Sequence, residues 1–302
     1  MSETGGQTAF ESKRDLPDDE LQIQARRLVG FARRFEHLGG QMRLLADLDG
    51  VKHWADEHHN GAPGILAALA DRYPLAIFHG DVGTGKTASA EAAADGLARL
   101  LDADGFLLKL STRVRGVGHV GEMSSLIGDA FDEAIELAGR KRFVALIIDE
   151  GDALAFHRGA ERAHHEDRVG VNTLIQKIDD ARRLKGRLFI ILCTNRFGAL
   201  DPAILRRASL VEVFHRPSEE ERRELFAKTL AGLEIDAESL ESLVTATGEH
   251  NGQVGYTFSD VQTRLIPAAV ARAYPHRALG AEDLLAACAE LEPSPVMTER
   301  EE

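Results

Sequence analysis

The chain has 302 residues, 44% of them hydrophobic, and a formal net charge of -13 at pH 7, with 36 Lys plus Arg against 49 Asp plus Glu. Such a length and apolar content exclude a disordered or fibrous chain and suit one α/β domain with a smaller helical one. The acidic balance makes nucleic acid a poor partner, because non-specific affinity for its backbone comes largely from Lys and Arg releasing counterions.

The two cysteines, Cys193 and Cys288, are too few for a disulfide framework and sit in apolar stretches, where a buried thiol is expected. The first residues lack the apolar stretch of a secretory signal, and no apolar run approaches the ~20 residues of a membrane span. A cytoplasmic protein with no membrane partner is expected.

In chain order, residues 1 to about 20 are polar and acidic and are expected to be mobile. From Leu21 to Trp54 apolar residues recur at helical spacing, interrupted at Gly39-Gly40 and Gly50, which predicts a short helical leader. Beyond residue 61 short apolar runs alternate with amphipathic stretches, the pattern of a parallel sheet with crossover helices. Strands are predicted at Leu75 to His79, Phe106 to Leu110, Phe143 to Ile148, Leu188 to Cys193 and Leu210 to Phe214. Helices are predicted at about 86–102, 122–141, 169–184 and 202–207. After Pro217 the chain reads as helical, with capping-box spacing at Ser218/Glu221 and Ser259/Gln262 and a last helix from Ala281 to Leu291.

The first predicted strand runs into Gly80, Asp81, Val82, Gly83, Thr84, Gly85, Lys86 and Thr87, a Gly-rich turn opening a helix. In that context the glycines let backbone amides approach phosphate oxygens at the positive helix N-terminus. Lys86 would reach the β- and γ-phosphates of ATP, and the Thr87 hydroxyl would ligate Mg2+. The strand Ala145 to Ile148 ends in Asp149 and Glu150. Two acids at the end of an apolar strand cost several kcal/mol to desolvate unless a cation or hydrogen bonds compensate them. Asp149 then suits the magnesium shell, and Glu150 suits a general base that activates water. A further strand ends in Asn195, placed to orient that water if this strand lies between the other two. Asp201 and Pro202 start a short helix that leads to Arg206 and Arg207.

This order of motifs resembles the AAA+ superfamily of P-loop ATPases over about residues 61 to 290. The resemblance implies an α/β fold of the ASCE type with a C-terminal helical lid: residues 1–60 as tail and leader, 61–216 as the large AAA+ domain and 217–302 as the lid. It makes Asn195 the first sensor and Arg206 an arginine finger acting on the next subunit of a ring, usually a homo-hexamer. Arg207 is the alternative finger, since Ser209 stands where many AAA proteins have a second arginine. Arg264 is a candidate for the second sensor, with a solvated helix face as the other reading.

A narrower resemblance, to the pachytene-checkpoint remodellers of HORMA-domain proteins, rests on Glu166 to Asp179, Thr194-Asn195 and Arg207 to Pro217. Its bacterial branch implies a role in anti-phage defence, detaching a HORMA protein from a cyclic-oligonucleotide synthase, a nucleotidyltransferase. Gly118 to Glu122 resembles a substrate-gripping pore loop, with His119 and Val120 as gripping residues and His119 where an aromatic is usual. The loop His157 to Asp167 carries histidines at no metal-ligand spacing. Two other classes fit the P-loop less well. A DNA-directed loader requires a basic face, and a nucleotide-dependent scaffold has no use for an intact Glu150.

Overall fold

The computed structural model describes residues 9–110, 122–155, 165–250 and 252–296. Its centre is a six-stranded sheet of β1 (Phe10–Leu16), β2 (Leu75–Gly80), β3 (Gly105–Leu110), β4 (Phe143–Ile148), β5 (Leu188–Thr194) and β6 (Leu210–Phe214). The spatial order is β1-β3-β4-β5-β2-β6; all neighbouring pairs are parallel except the antiparallel β1·β3 pair. The five strands expected from the sequence are present within a residue or two. Side chains alternate across β2 to β5, so Ile77, Leu146 and Ile190 face one apolar layer while Phe78, Ile147 and Ile191 face the other.

The first layer is covered by α6 (Glu122–Ala138) and α7 (His165–Arg182). The second is covered by α1 (Asp19–Arg27), α2 (Phe31–Ala46) and α5 (Lys86–Leu100). Two further helices, α3 (Leu48–His59) and α4 (Pro63–Ala70), lead into β2, and the four-residue α8 (Pro202–Leu205) precedes β6. Among the described residues no strand follows Phe214. Helices α9 (Glu219–Thr229), α10 (Ala237–Ala246), α11 (Ile266–Ala273) and α12 (Ala281–Glu290) enclose a third apolar cluster around Phe226, Leu243 and Leu265.

Three expectations are corrected. The first 20 residues are not wholly mobile: β1 pairs with β3 and seats Phe10 and Leu16 in the core, while the charged residues between them leave no alternating apolar signal. The glycines do not break the leader. Gly39 and Gly40 lie inside α2, and Gly50 lies inside α3. A β-carbon on Gly39 would stand 3.2 Å from Leu100, and one on Gly96 would stand 2.5 Å from Phe35. Close packing of α2 on α5 therefore uses these glycines and outweighs their cost of about 1 kcal/mol each in a helix. Finally, the cap in the lid is displaced by two residues from Ser259/Gln262. Thr257 N donates to Asp260 Oδ2 at 3.0 Å and Asp260 N donates to Thr257 Oγ1 at 3.0 Å, and residues 260–265 then wind as a π-helix. The Ser218/Glu221 box is formed as expected.

Candidate active site

Strands β2, β4 and β5 are neighbours, and their carboxyl ends carry the Gly-rich turn, Asp149-Glu150 and Asn195. In open α/β sheets that edge is where ligands bind. β5 lies between β4 and β2, so Asn195 stands between the acids and the turn.

Gly83 and Gly85 have φ of 76° and 87°, a backbone region that favours glycine, and a β-carbon on Gly85 would meet no atom within 4 Å. The turn thus holds an open concavity directly before the N-terminus of α5. Lys86 is buried, and its Nζ donates to the carbonyls of Gly80 at 3.0 Å and Asp81 at 2.6 Å. Burial pushes its ammonium below the usual lysine value. A desolvated cation held by its own loop's carbonyls beside an open turn fits an anionic ligand such as a polyphosphate. Thr87 Oγ1 donates to Asp149 Oδ2 at 2.9 Å, so the two candidate magnesium ligands already meet, and their oxygen chemistry suits a hard divalent cation.

Glu150 is exposed and has a φ of 49°, and its N–H donates to Asp149 Oδ1 at 3.0 Å. A left-handed conformation is uncommon for a residue with a side chain and marks a local constraint at the strand end. Asn195 is half-buried and, with Gly80 and Asp81, lines a cleft of about 490 Å³ whose other wall is Arg216, Gly255 and Val296.

Arg207 is engaged within its own subunit. Its guanidinium forms two bonds to Asp179, at 2.6 and 2.9 Å, and a third to the carbonyl of Ala203 at 2.9 Å. Arg206 is exposed, and its side chain forms no hydrogen bond or ion pair among the described residues. Arg264 pairs with Asp260 at 3.0 Å, one helical turn back. The part of the lid that meets the P-loop is instead Ser259, whose N–H donates to Gly83 O at 3.1 Å. The pore candidates His119 and Val120 lie outside the described residues, as does most of the His157 to Asp167 loop.

Three neighbours of the candidate site were not singled out from the sequence. Lys109, near the end of β3, brings its ammonium 3.6 Å from Asp149, 3.9 Å from Glu91 and 3.8 Å from Glu11. Asp152 accepts a hydrogen bond from Thr194 at 2.8 Å, bracing the chain just before Asn195. Arg216 pairs with Asp81 of the turn at 2.7 Å. Lys109 stands in a stretch with no motif of its own, and Arg216 lies in the Arg207 to Pro217 stretch of the resemblance without a role read from it, so only the fold brings them to the site.

A parallel sheet with a P-loop at the end of one strand, paired acids at the end of another and a helical lid defines the class of P-loop NTPases. The family model for "ATPase family associated with various cellular activities (AAA)" matches residues 76–216. The chain is 46% identical to CD-NTase-associated protein 6 of Escherichia coli strain KTE188 over 291 residues, which is 96% of this chain and 98% of that one. It is 40% identical to the protein of that name from strain MS 115-1, over 97% of both chains. Among solved structures it is similar to a chain of the E. coli MS115-1 HORMA:CdnC:Trip13 complex, with a TM-score of 0.89, 39% identity and coverage of 96% and 97% of the two chains. It is also similar to Rhizobiales Trip13, with a TM-score of 0.73, 33% identity and coverage of 95% and 99%. The chain belongs to the AAA ATPases, in the family of CD-NTase-associated protein 6.

Proposed function

We propose that the protein hydrolyses ATP in a ring, a homo-hexamer, and uses the energy to remodel a HORMA-domain protein, separating it from a nucleotidyltransferase in bacterial anti-phage defence. The observation that carries this reading is the near full-length similarity to a chain of a complex with HORMA and CdnC proteins, together with a turn and acid pair that fit ATP and Mg2+. The reaction and the partners belong together in a cytoplasmic remodeller, and the net charge of -13 favours a protein substrate over DNA.

In this mechanism the amides of residues 81–87 cradle the phosphates at the N-terminus of α5, and Lys86 turns from its carbonyls to the β- and γ-phosphates. Mg2+, held by Thr87 and Asp149, would neutralise charge on those phosphates. Glu150 takes the proton of the attacking water, which Asn195 orients. The Arg206 guanidinium has no partner in its own subunit among the described residues and supplies its charge to the neighbour's site. Residues 1–60 and the ring face engage the substrate, which His119 and Val120 grip in the pore.

Replacing Glu150 with Gln removes the base and keeps the phosphate cradle, so hydrolysis should fall by two orders of magnitude or more while ATP still binds. The variant should then retain a HORMA-domain protein in pull-downs with ATP. Hydrolysis close to the wild-type rate would remove Glu150 from the role of base. Failure of the wild type to release any HORMA protein from its synthase would overturn the choice of substrate.

A further inference from the structure

Arg216 follows β6, where the chain passes from the sheet to the lid, and its side chain is only 14% exposed. Its three nitrogens reach three different parts of the molecule. Nε donates to Asp81 Oδ2 in the P-loop at 2.7 Å, Nη1 to the carbonyl of Gly255 in the lid at 2.6 Å, and Nη2 to the carbonyl of Ser294 beyond α12 at 2.8 Å. A planar guanidinium can hold three acceptors in fixed directions, and an ammonium cannot reproduce that geometry.

Asp81 is held from the opposite side as well. Its carbonyl accepts from Lys86 Nζ at 2.6 Å and from Thr84 Oγ1 at 2.8 Å. A phosphate at the turn competes for Lys86, and an ionised oxygen is a stronger acceptor than a carbonyl. Once Lys86 turns to phosphate, the carbonyl of Asp81 keeps Thr84 but loses the shorter of its two bonds, while its carboxylate remains on Arg216. The far ends of Arg216 are tied into the lid. Ser294 donates to Asp260 through both N, at 3.1 Å, and Oγ, at 2.6 Å, and Asp260 also accepts from Thr257 N. A second seam runs beside this one, since a β-carbon on Gly83 would come within 2.7 Å of Ser259 and Thr257. The loop therefore cannot shift without displacing the lid.

We propose that Arg216 is a positioning residue that couples phosphate occupancy of the P-loop, through Asp81, to the placement of the lid and of the segment at residues 292–296. The proposal rests on the reading that the turn binds ATP. Arg216 acts through Asp81 and need not touch nucleotide, which separates it from a sensor that contacts phosphate.

The test compares the full-length wild type with Arg216→Met, Arg216→Lys, Asp81→Asn and the double variant Asp81→Asn/Arg216→Met. ATP affinity is measured for each, and amide hydrogen exchange is followed at residues 252–260 and 292–296 with and without Mg-ATP. In the wild type ATP should change exchange in both segments. In Arg216→Met that change should shrink at least threefold while ATP affinity falls less than tenfold. Arg216→Lys should be intermediate, and the double variant should be no worse than Arg216→Met. An ATP-dependent change of wild-type size in Arg216→Met, or uniformly faster exchange with the ATP-dependent difference preserved, would overturn the proposal and leave Arg216 a structural bridge. Should Arg216→Met fail to fold, Arg216→Lys and Asp81→Asn carry the same comparison. Absence of ATP binding in the wild type would instead overturn the nucleotide reading, and would be seen before any variant is made.

Discussion

Lys109 shows how much of a site can rest on one residue outside every motif. Its ammonium is mostly buried among Asp149, Glu91 and Glu11, and burial pushes the Glu91 carboxyl upward while Lys109 opposes that shift. A fixed cation 3.6 Å from Asp149 lowers the local demand for a metal ion and holds the carboxylate in place. Lys109→Met should therefore lower the Mg2+ concentration for half-maximal ATP hydrolysis by roughly fivefold, an effect on the order of 1 kcal/mol for one partly screened charge. It should also lower kcat, because Asp149 loses a partner. A titration of ATPase rate against Mg2+ that superimposes on the wild type would remove Lys109 from the site. The motif residues Lys86, Thr87, Asp149 and Asn195 were legible because each chemistry demands a residue type at a fixed distance from a strand end. Lys109 was not, because its role comes from lying on β3, the neighbour of β4, and a lysine near the end of a strand has no pattern of its own.

At the scale of elements, the lid depends on a buried acid. Asp260 is 2% exposed; burial disfavours its charge, but hydrogen bonds from Ser294 and Thr257 prevail and hold its carboxyl at about 2. A folded-state value below the unfolded one gives stability that is fully present above pH 4 and is lost as pH falls toward 2. Asp260→Asn should lower the melting temperature of the lid by several degrees near pH 7, corresponding to ~1–3 kcal/mol for a buried charged hydrogen-bond acceptor. The gap between variant and wild type should narrow below pH 3. Thermal melts from pH 2 to pH 7 test this, and a gap independent of pH would mean that the carboxylate's charge contributes nothing. The same scale explains where reading by pattern went astray. Gly39 lowers helix propensity locally but lets α2 and α5 approach, and β1 hides its pairing with β3 behind charged residues because its partners are distant in sequence, with Leu16 opposite Gly105 and Phe10 opposite Leu110. Local signals do not register such distant partners.

At the scale of the whole molecule, the ring reading turns on which arginine is available to a neighbour. Arg207 is spent on Asp179 within its own subunit, leaving Arg206 as the exposed member of the pair. Arg206→Ala should bind ATP normally and hydrolyse it about 1,000-fold more slowly, the scale measured for arginine fingers. Mixing Arg206→Ala with Lys86→Ala subunits, each inactive alone, should restore part of the activity at interfaces that pair an intact P-loop with an intact finger. Mixtures shown to co-assemble whose activity never exceeds the sum of the separate variants would exclude Arg206 as a trans-acting group. By itself the sequence determined the parallel-sheet core, the glycine-rich turn, the acid pair and the helical lid, because hydrophobic period, glycine placement and capping residues act over a few neighbouring positions. The tertiary structure alone decided that β1 closes the sheet edge, that Arg207 is occupied while Arg206 is exposed, and that Lys109 and Arg216 stand at the site. Those facts depend on which surfaces meet when distant segments pack, and burial and long-range charge pairing leave no periodic trace along the chain.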